Sequence, residues 1–267
     1  MKNGKAVETD NLIKNGDFST PNGAHWWTER PNDGAVVSFD NQECMTSNNG
    51  NAWQHPEVVP SATYLLTCRA KQSYSGRGSL QVSSTGLSKF VNVTSNNWEN
   101  LALSFETPPE ARKVVVKLFG ANGEIRFDDV ELRAVDVQPE ELIKNGDFSI
   151  PGGAHWTAER PNTGAVVSFD NQECMTSNNG YAWQDVKVSP SSTYVLTCKA
   201  KQTYSGRGSL QVGSRSAAVT SSTWENLELV FETSPSTHSV TVKLFGASGE
   251  IRFDNVSMKQ LLAKKPH

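Results

Sequence analysis

From Gly180 to Lys201 the chain reads GYAWQDVKVSPSSTYVLTCKAK. Gln184, Val186 and Val188 alternate with Trp183, Asp185 and Lys187. After the turn-forming Pro190-Ser191-Ser192, Tyr194, Leu196, Cys198 and Ala200 alternate with Thr193, Val195, Thr197, Lys199 and Lys201. A period of two belongs to a strand with one buried and one wetter face. The stretch therefore predicts two strands joined by a turn, with Tyr194, Leu196, Cys198 and Ala200 facing a core.

Outward from this stretch the chain proves to be duplicated. Leu12 to Trp53 and Leu142 to Trp183 are identical at 36 of 42 positions. A copied block of this length is one whole folding unit, not a short solenoid motif. The first copy repeats the alternation, with Tyr64, Leu66, Cys68 and Ala70 on the inward side. Leu12–Phe18, Ala35–Phe39, Leu101–Phe105, Val114–Phe119 and Glu124–Leu132 complete the strands expected of copy one. Val82 and Trp98 are 15 residues apart by intervening count, against 11 between Val212 and Trp224, a length change that suits a hairpin tip.

No segment holds a 3.6-residue apolar period over three turns. The predicted fold class is therefore all-β, with two tandem antiparallel β-sandwich domains. Residues 1–10 form a polar tail, 11–134 the first repeat, 135–140 a short linker containing Pro139, 141–260 the second repeat, and 261–267 a C-terminal tail.

The formal net charge is −3 and the Lys and Arg residues are scattered, which argues against nucleic acid as the partner. No apolar run has the ~20 residues of a membrane helix, so membrane insertion is not expected. The opening MKNGKAVETDN has no apolar h-region, which leaves secreted and cytosolic settings both open. Cys44, Cys68, Cys174 and Cys198 fall two to a repeat with the same spacing. That pattern fits one disulfide per domain, Cys44 with Cys68 and Cys174 with Cys198, and equally fits buried thiols packed as small apolar groups.

Three marks in order carry a family resemblance. The first is Asn11-Leu12-Ile13-Lys14-Asn15-Gly16-Asp17-Phe18-Ser19, and the second is the run from Gly180 to Leu196. The third is Ile125-Arg126-Phe127-Asp128-Asp129-Val130-Glu131-Leu132. Together they resemble carbohydrate-binding modules of the family 4/9/16/22 group. That resemblance implies a β-jelly roll of galactose-binding-like type, a glycan-binding sheet face, an extracellular or cell-surface setting and a structural calcium ion. The implied calcium ligands are Asp17 through its backbone carbonyl, Ser19, Asn49 and Asp128, with Asp147, Ser149, Asn179 and Asp254 in the second copy. Ser19 and Ser149 stand where the group usually has Glu, which lowers the ligand charge on which calcium affinity depends.

A glycan site needs exposed aromatic faces for the C–H side of a pyranose and polar side chains for its hydroxyls. Alternation turns Trp53, Gln81, Lys117 and Phe119 away from the core, and likewise Trp183, Gln211, Lys243 and Phe245. The loop residues Trp26, Arg30, Tyr74 and Arg77, with Trp156, Arg160, Tyr204 and Arg207, are candidates for the cleft walls. Trp26 reads equally as a lid on the core, and Trp98 and Trp224 read as core plugs. Gln54 and Gln184 fall on the buried side and need hydrogen-bond partners.

No HExxH, GxSxG, P-loop or CxxC pattern is present. The carboxylates to consider for glycoside hydrolysis are Glu29 with Glu43 and Glu159 with Glu173. The leading expectation is non-catalytic binding of poly- or oligosaccharide, soluble chains rather than crystalline surfaces. Two sites on one chain would gain avidity. The rival is a protein-binding or structural sandwich pair, such as the recognition part of a surface or toxin protein.

Overall fold

A computed structural model describes residues 11–73 and 76–263, with the backbone alone at 204–205. The chain divides into two compact units after Asp136. Strand β10 of the first unit runs to Val137, so part of the expected 135–140 linker is strand.

Unit 1 holds β1 (Trp27–Glu29), β2 (Val36–Asp40), β3 (Glu43–Ser47), β4 (Gly50–Gln54), β5 (Thr63–Gln72), β6 (Arg77–Ser84), β7 (Leu87–Asn92), β8 (Glu99–Glu106), β9 (Val115–Asn122) and β10 (Ile125–Val137). One sheet has the five-strand order β1-β4-β9-β6-β7. The other runs β2-β3-β10-β5-β8, and the pairings in both are antiparallel. Two five-stranded sheets with these crossovers form a jelly roll. Between them lies a core that includes Leu66, Leu80, Val116, Leu118, Ile125 and Phe127, each no more than 1 % exposed. Burying each such side chain contributes ~1.5–3 kcal/mol relative to leaving it exposed.

Unit 2 repeats the plan with β11 (Thr157–Glu159), β12 (Val166–Asp170), β13 (Glu173–Ser177), β14 (Gly180–Lys187), β15 (Thr193–Val212), β16 (Arg215–Ala218), β17 (Glu225–Glu232) and β18 (Ser239–Ala263). Here β15 and β18 each run continuously through both sheets, with register shifts in their pairing at Thr203/Arg207 and Arg207/Gly208. Its core cluster matches that of unit 1 residue for residue at Leu210/Leu80, Leu244/Leu118, Ile251/Ile125 and Phe253/Phe127.

Leu12–Phe18 is not a strand but a chain of turns. Asn15 and Phe18 have φ of 53° and 49°, incompatible with extended backbone. The Asn15 side chain accepts from Thr20 N at 2.8 Å and donates to Ala24 O at 3.0 Å, closing the loop on itself. Gly16 has a different reason to be glycine, since a Cβ there would lie 2.0 Å from Val130 O.

The length difference between the copies is confined to one hairpin. In unit 1 Val82 pairs Lys89, and residues 83–88 lie beyond; in unit 2 Val212 pairs Arg215, and only 213–214 lie beyond. Two cross-strand pairs, Ser83–Ser88 and Ser84–Leu87, are present only in unit 1. Removing residues in whole pairs keeps the register, so every side chain below the tip stays on its face. Lys89 Nζ donates to Ser104 O and Arg215 Nη1 to Val230 O, the same strap in both copies.

Candidate functional site

The outer face of the β1-β4-β9-β6-β7 sheet carries the candidate site of unit 1. Register places Trp27 opposite Trp53, Trp53 opposite Lys117, Lys117 opposite Gln81, and Gln81 opposite Phe90. One row of five side chains thus crosses all five strands. The neighbouring row is Glu29, Asn51, Phe119, Ser79 and Asn92. Trp27 and Phe90 at the two edges are 57 % and 63 % exposed. Gln81 Nε2 donates to Ser79 Oγ at 2.8 Å. Asn51 Nδ2 faces Glu29 Oε2 at 3.3 Å, while its buried Oδ1 has no partner among the described residues.

Unit 2 reproduces the centre of this face and changes its edges. Trp183 pairs Lys243, Lys243 pairs Gln211, and Tyr181 pairs Phe245, in the same register. Lys243 Nζ lies 4.3 Å from the centroid of the Tyr181 ring, a cation–π contact. Thr157 and Ser216 occupy the positions of Trp27 and Phe90.

The alternation therefore assigned the face correctly for Trp53, Gln81, Lys117 and Phe119 and for their counterparts Trp183, Gln211, Lys243 and Phe245. What fixes Trp53 outward is Gln54. That side chain, 5 % exposed, accepts from Lys14 N at 3.1 Å and donates to Lys14 O at 2.6 Å. Gln184 makes the same two bonds to Lys144.

The loop candidates divide differently. Trp26 and Trp156 are buried, with ring centroids 5.4 and 5.6 Å from those of Phe18 and Phe148, and their Nε1 groups donate to Asn15 O and Asn145 O. They cap the core and are not platform residues. Arg30 and Arg160 donate to Val37 O and Val167 O in the opposite sheet, which makes them straps between loop and strand. Arg77 and Arg207 are exposed beyond the bulge at the end of the face, off the central row. Tyr74 and the side chain of Tyr204 lie outside the described residues.

Trp98 and Trp224 are not core plugs. Lys71 Nζ sits 4.3 Å from the Trp98 ring, and Lys201 Nζ sits 4.2 Å from that of Trp224. Trp224 is 39 % exposed. Both rings lie over the β5-type strand of the other sheet, with a face taken by a cation.

The implied calcium ligands do not converge. Thr46 pairs Ile125 and Cys44 pairs Phe127, so Asp128 lies past the Cys44 end of β3, while Asn49 follows Ser47 at its other end. Asn49 N instead donates to Gly120 O at 2.7 Å, and Asn179 N to Gly246 O. Asp17 Oδ1 and Asp147 Oδ1 accept from the hydroxyls of Ser19 and Ser149 at 3.0 Å, and those hydrogen bonds, the backbone one first, hold the Asp147 carboxyl low. Asp128 Oδ1 and Asp254 Oδ1 accept from the following backbone N–H. Burial is the largest cause pushing both of these carboxyls up, and Asp128 also lies 3.8 Å from Arg69 Nη1. These residues do not fit a calcium cage, and no group of three or more His, Cys, Asp or Glu arranged for a metal occurs among the described residues.

The disulfides do not form either; all four cysteines are free and buried. β10 lies between β3, which carries Cys44, and β5, which carries Cys68. Two strand spacings amount to ~9.5 Å, beyond the ~7 Å limit for bridged Cα atoms. Burial raises all four thiol pKa values, which disfavours the reactive thiolate.

The glycosidase pairing also dissolves. Glu29 is on β1 of one sheet, whereas Glu43 is on β3 of the other and binds Arg126 Nη1 at 2.8 Å. Glu173 is held by Arg252 at 2.7 Å in the same way.

Alternation did not select Phe90, Trp27, Asn51 or Tyr181, although the changes from Trp27 to Thr157 and from Asn51 to Tyr181 between the copies mark positions where ligand preference could diverge. Phe90 lies in the length-variant hairpin, where the two copies have no one-to-one sequence correspondence. β1 is only three residues long, too short to show a period.

No family model matches the chain, and no curated protein matches it. Solved structures of carbohydrate-binding modules are similar to it at low identity. The N-terminal CBM22-1-CBM22-2 tandem domain from Paenibacillus barcinonensis Xyn10C is 13 % identical with a TM-score of 0.37, over 94 % of this chain and 98 % of that one. A structure described as CBM4 structure and function is 19 % identical with a TM-score of 0.39, over 46 % of this chain and 99 % of that one. TmCBM61 in complex with β-1,4-galactotriose is 18 % identical with a TM-score of 0.37, over 47 % and 99 %.

Proposed function

We propose that the chain is a non-catalytic glycan-binding protein whose two units each bind a saccharide on the outer face bearing Trp53 or Trp183. The observation that carries this reading is the repeated constellation of Trp, Lys, Gln and Phe in one register on both units. The indole and phenyl faces stack on pyranose C–H groups. The Lys ammonium donates to ring hydroxyls, and the Gln carbonyl accepts from them.

Rings interleaved with polar side chains suit a single hydrated chain better than a flat crystalline surface. Two such faces on one polypeptide would give avidity toward a polymer long enough to reach both. A polymeric glycan as ligand carries with it an extracellular or cell-surface setting. Among the described residues neither face brings two carboxylates into opposition, which favours binding over hydrolysis.

Electrophoresis in native gels containing β-glucan, xylan or mannan tests the reading. Retardation by at least one polymer, lost in the Trp53→Ala/Trp183→Ala double variant, is expected. Unchanged mobility in every polymer would favour the protein-binding alternative. Release of reducing sugar over time would establish an enzyme instead.

A further inference from the structure

We infer that the two units bind different lengths of glycan: unit 1 holds an extended linear chain across its whole sheet, and unit 2 holds a shorter segment at its centre. The inference rests on the glycan reading above and adds to it a division of labour between the copies. The central row of Trp, Lys and Gln is the same in both units, whereas the edge positions and Asn51/Tyr181 on the same face differ.

In unit 1 aromatic rings stand at both edges of the row, Trp27 on β1 and Phe90 on β7, with Trp53 between them. Five strands are four spacings, about 19 Å from edge strand to edge strand, a span that accommodates several consecutive pyranose rings. Trp27 and Phe90 are the two most exposed aromatic side chains among the described residues. The Trp27 ring is held edge-on by His55, with centroids 5.4 Å apart, and exposed aromatic faces beside polar side chains are what pyranose C–H groups stack on. A chain lying along the row would cover Trp27, Trp53 and Phe90 together.

In unit 2 the edge positions are Thr157 and Ser216, and neither can stack. The aromatic surface contracts to Tyr181, Trp183 and Phe245 on two neighbouring strands. Tyr181 also replaces Asn51, removing the orphaned acceptor and bringing a ring against Lys243. The shorter hairpin ends at Gly213-Ser214, and beside it opens a groove of about 670 Å³ lined by Arg215, Glu232, Thr233, Thr237, Thr241 and Lys243. Unit 2 thus meets a ligand with a compact ring cluster and, at its hairpin tip, a groove lined by charged and hydroxyl groups.

The test uses the full chain with one unit silenced. Trp183→Ala leaves unit 1 as the binder and Trp53→Ala leaves unit 2. Each is titrated calorimetrically with β-1,4-linked gluco-, xylo- and manno-oligosaccharides and β-1,3-linked gluco-oligosaccharides, from disaccharide to hexasaccharide. Affinity of the Trp183→Ala protein should keep rising with chain length after that of the Trp53→Ala protein has levelled off. Adding Trp27→Thr and Phe90→Ser to Trp183→Ala installs the residues that unit 2 carries at the same positions. This should bring the plateau down to the unit 2 length and weaken binding of the longest member roughly tenfold. The converse pair, Thr157→Trp with Ser216→Phe in the Trp53→Ala background, should lengthen it. Identical length profiles for the two units, with binding intact, overturn the division of labour alone. No binding of any member by wild-type protein overturns the glycan reading and this inference together.

Discussion

The side-chain amide of Gln54 forms a closed pair of hydrogen bonds with the backbone of Lys14, accepting from its N–H and donating to its carbonyl. This ties the loop that opens each repeat to the strand that carries the central tryptophan. It also explains a buried amide next to an outward indole, because the loop supplies what the core cannot.

Replacing Gln54 or Gln184 by Leu should therefore cost about 1–3 kcal/mol of stability, since both backbone groups of Lys14 or Lys144 lose their partner in a part-buried position. Chemical denaturation reads the loss directly. Stability equal to wild type would mean that water satisfies the loop.

Gly16→Ala should be among the most damaging single changes, because the new Cβ would lie 2.0 Å from Val130 O, a backbone atom that cannot swing aside. A loss of ~3 kcal/mol or more is expected, the range of severe packing strain. A fall in midpoint small enough to match an ordinary surface change would contradict the close approach.

The cysteines should behave as four inert thiols. Ellman's reagent should titrate four groups per chain in denaturant and very few in the native protein, and a reductant should leave the melting temperature unchanged. A downward shift with reductant would establish a bridge that the strand order forbids.

Asp128 and Asp254 have folded-state carboxyl pKa values raised above the ordinary 3.8, chiefly by burial. The folded protein then holds these protons at pH values where the unfolded chain has released them. Their contribution to stability must fall as pH rises from the unfolded value through the raised folded one. Asp128→Asn keeps an oxygen to accept from the Asp129 N–H, so the variant should be at least as stable as wild type at neutral pH and less sensitive to pH in that window. Chelator should leave the melting temperature of wild type unmoved. Destabilisation by chelator would reinstate a metal ion at this carboxylate, whereas destabilisation by Asn alone would trace to the lost 3.8 Å ion pair with Arg69.

Much of this fold was legible in alternation and duplication. Tyr64, Leu66, Cys68 and Ala70 do face the core, as period two requires. The opening Leu12–Phe18 was not legible as turns, because its apolar residues mimic a strand and only the positive φ at Asn15 and Phe18 reveals the loop. Trp26 and Trp27 are adjacent in sequence and opposite in role, one sealed under Phe18 and one open on β1. No local pattern separates them. The cysteine pairing failed for a topological reason, since equal spacing in both copies says nothing about β10 passing between them. Phe90 was hidden because its row is defined by partners distant in sequence.

The most direct test of the central claim is calorimetric titration of the full chain with an oligosaccharide of the polymer that retards it most in the gel. Wild type should show binding at two sites, and Trp53→Ala or Trp183→Ala should each abolish one. Loss of a ring at the centre of a site costs ~2 kcal/mol or more, roughly a thirtyfold weakening. The double variant should retain its melting temperature, because both rings lie on the outer face, and should bind neither site. A folded double variant that binds as wild type does would contradict the account.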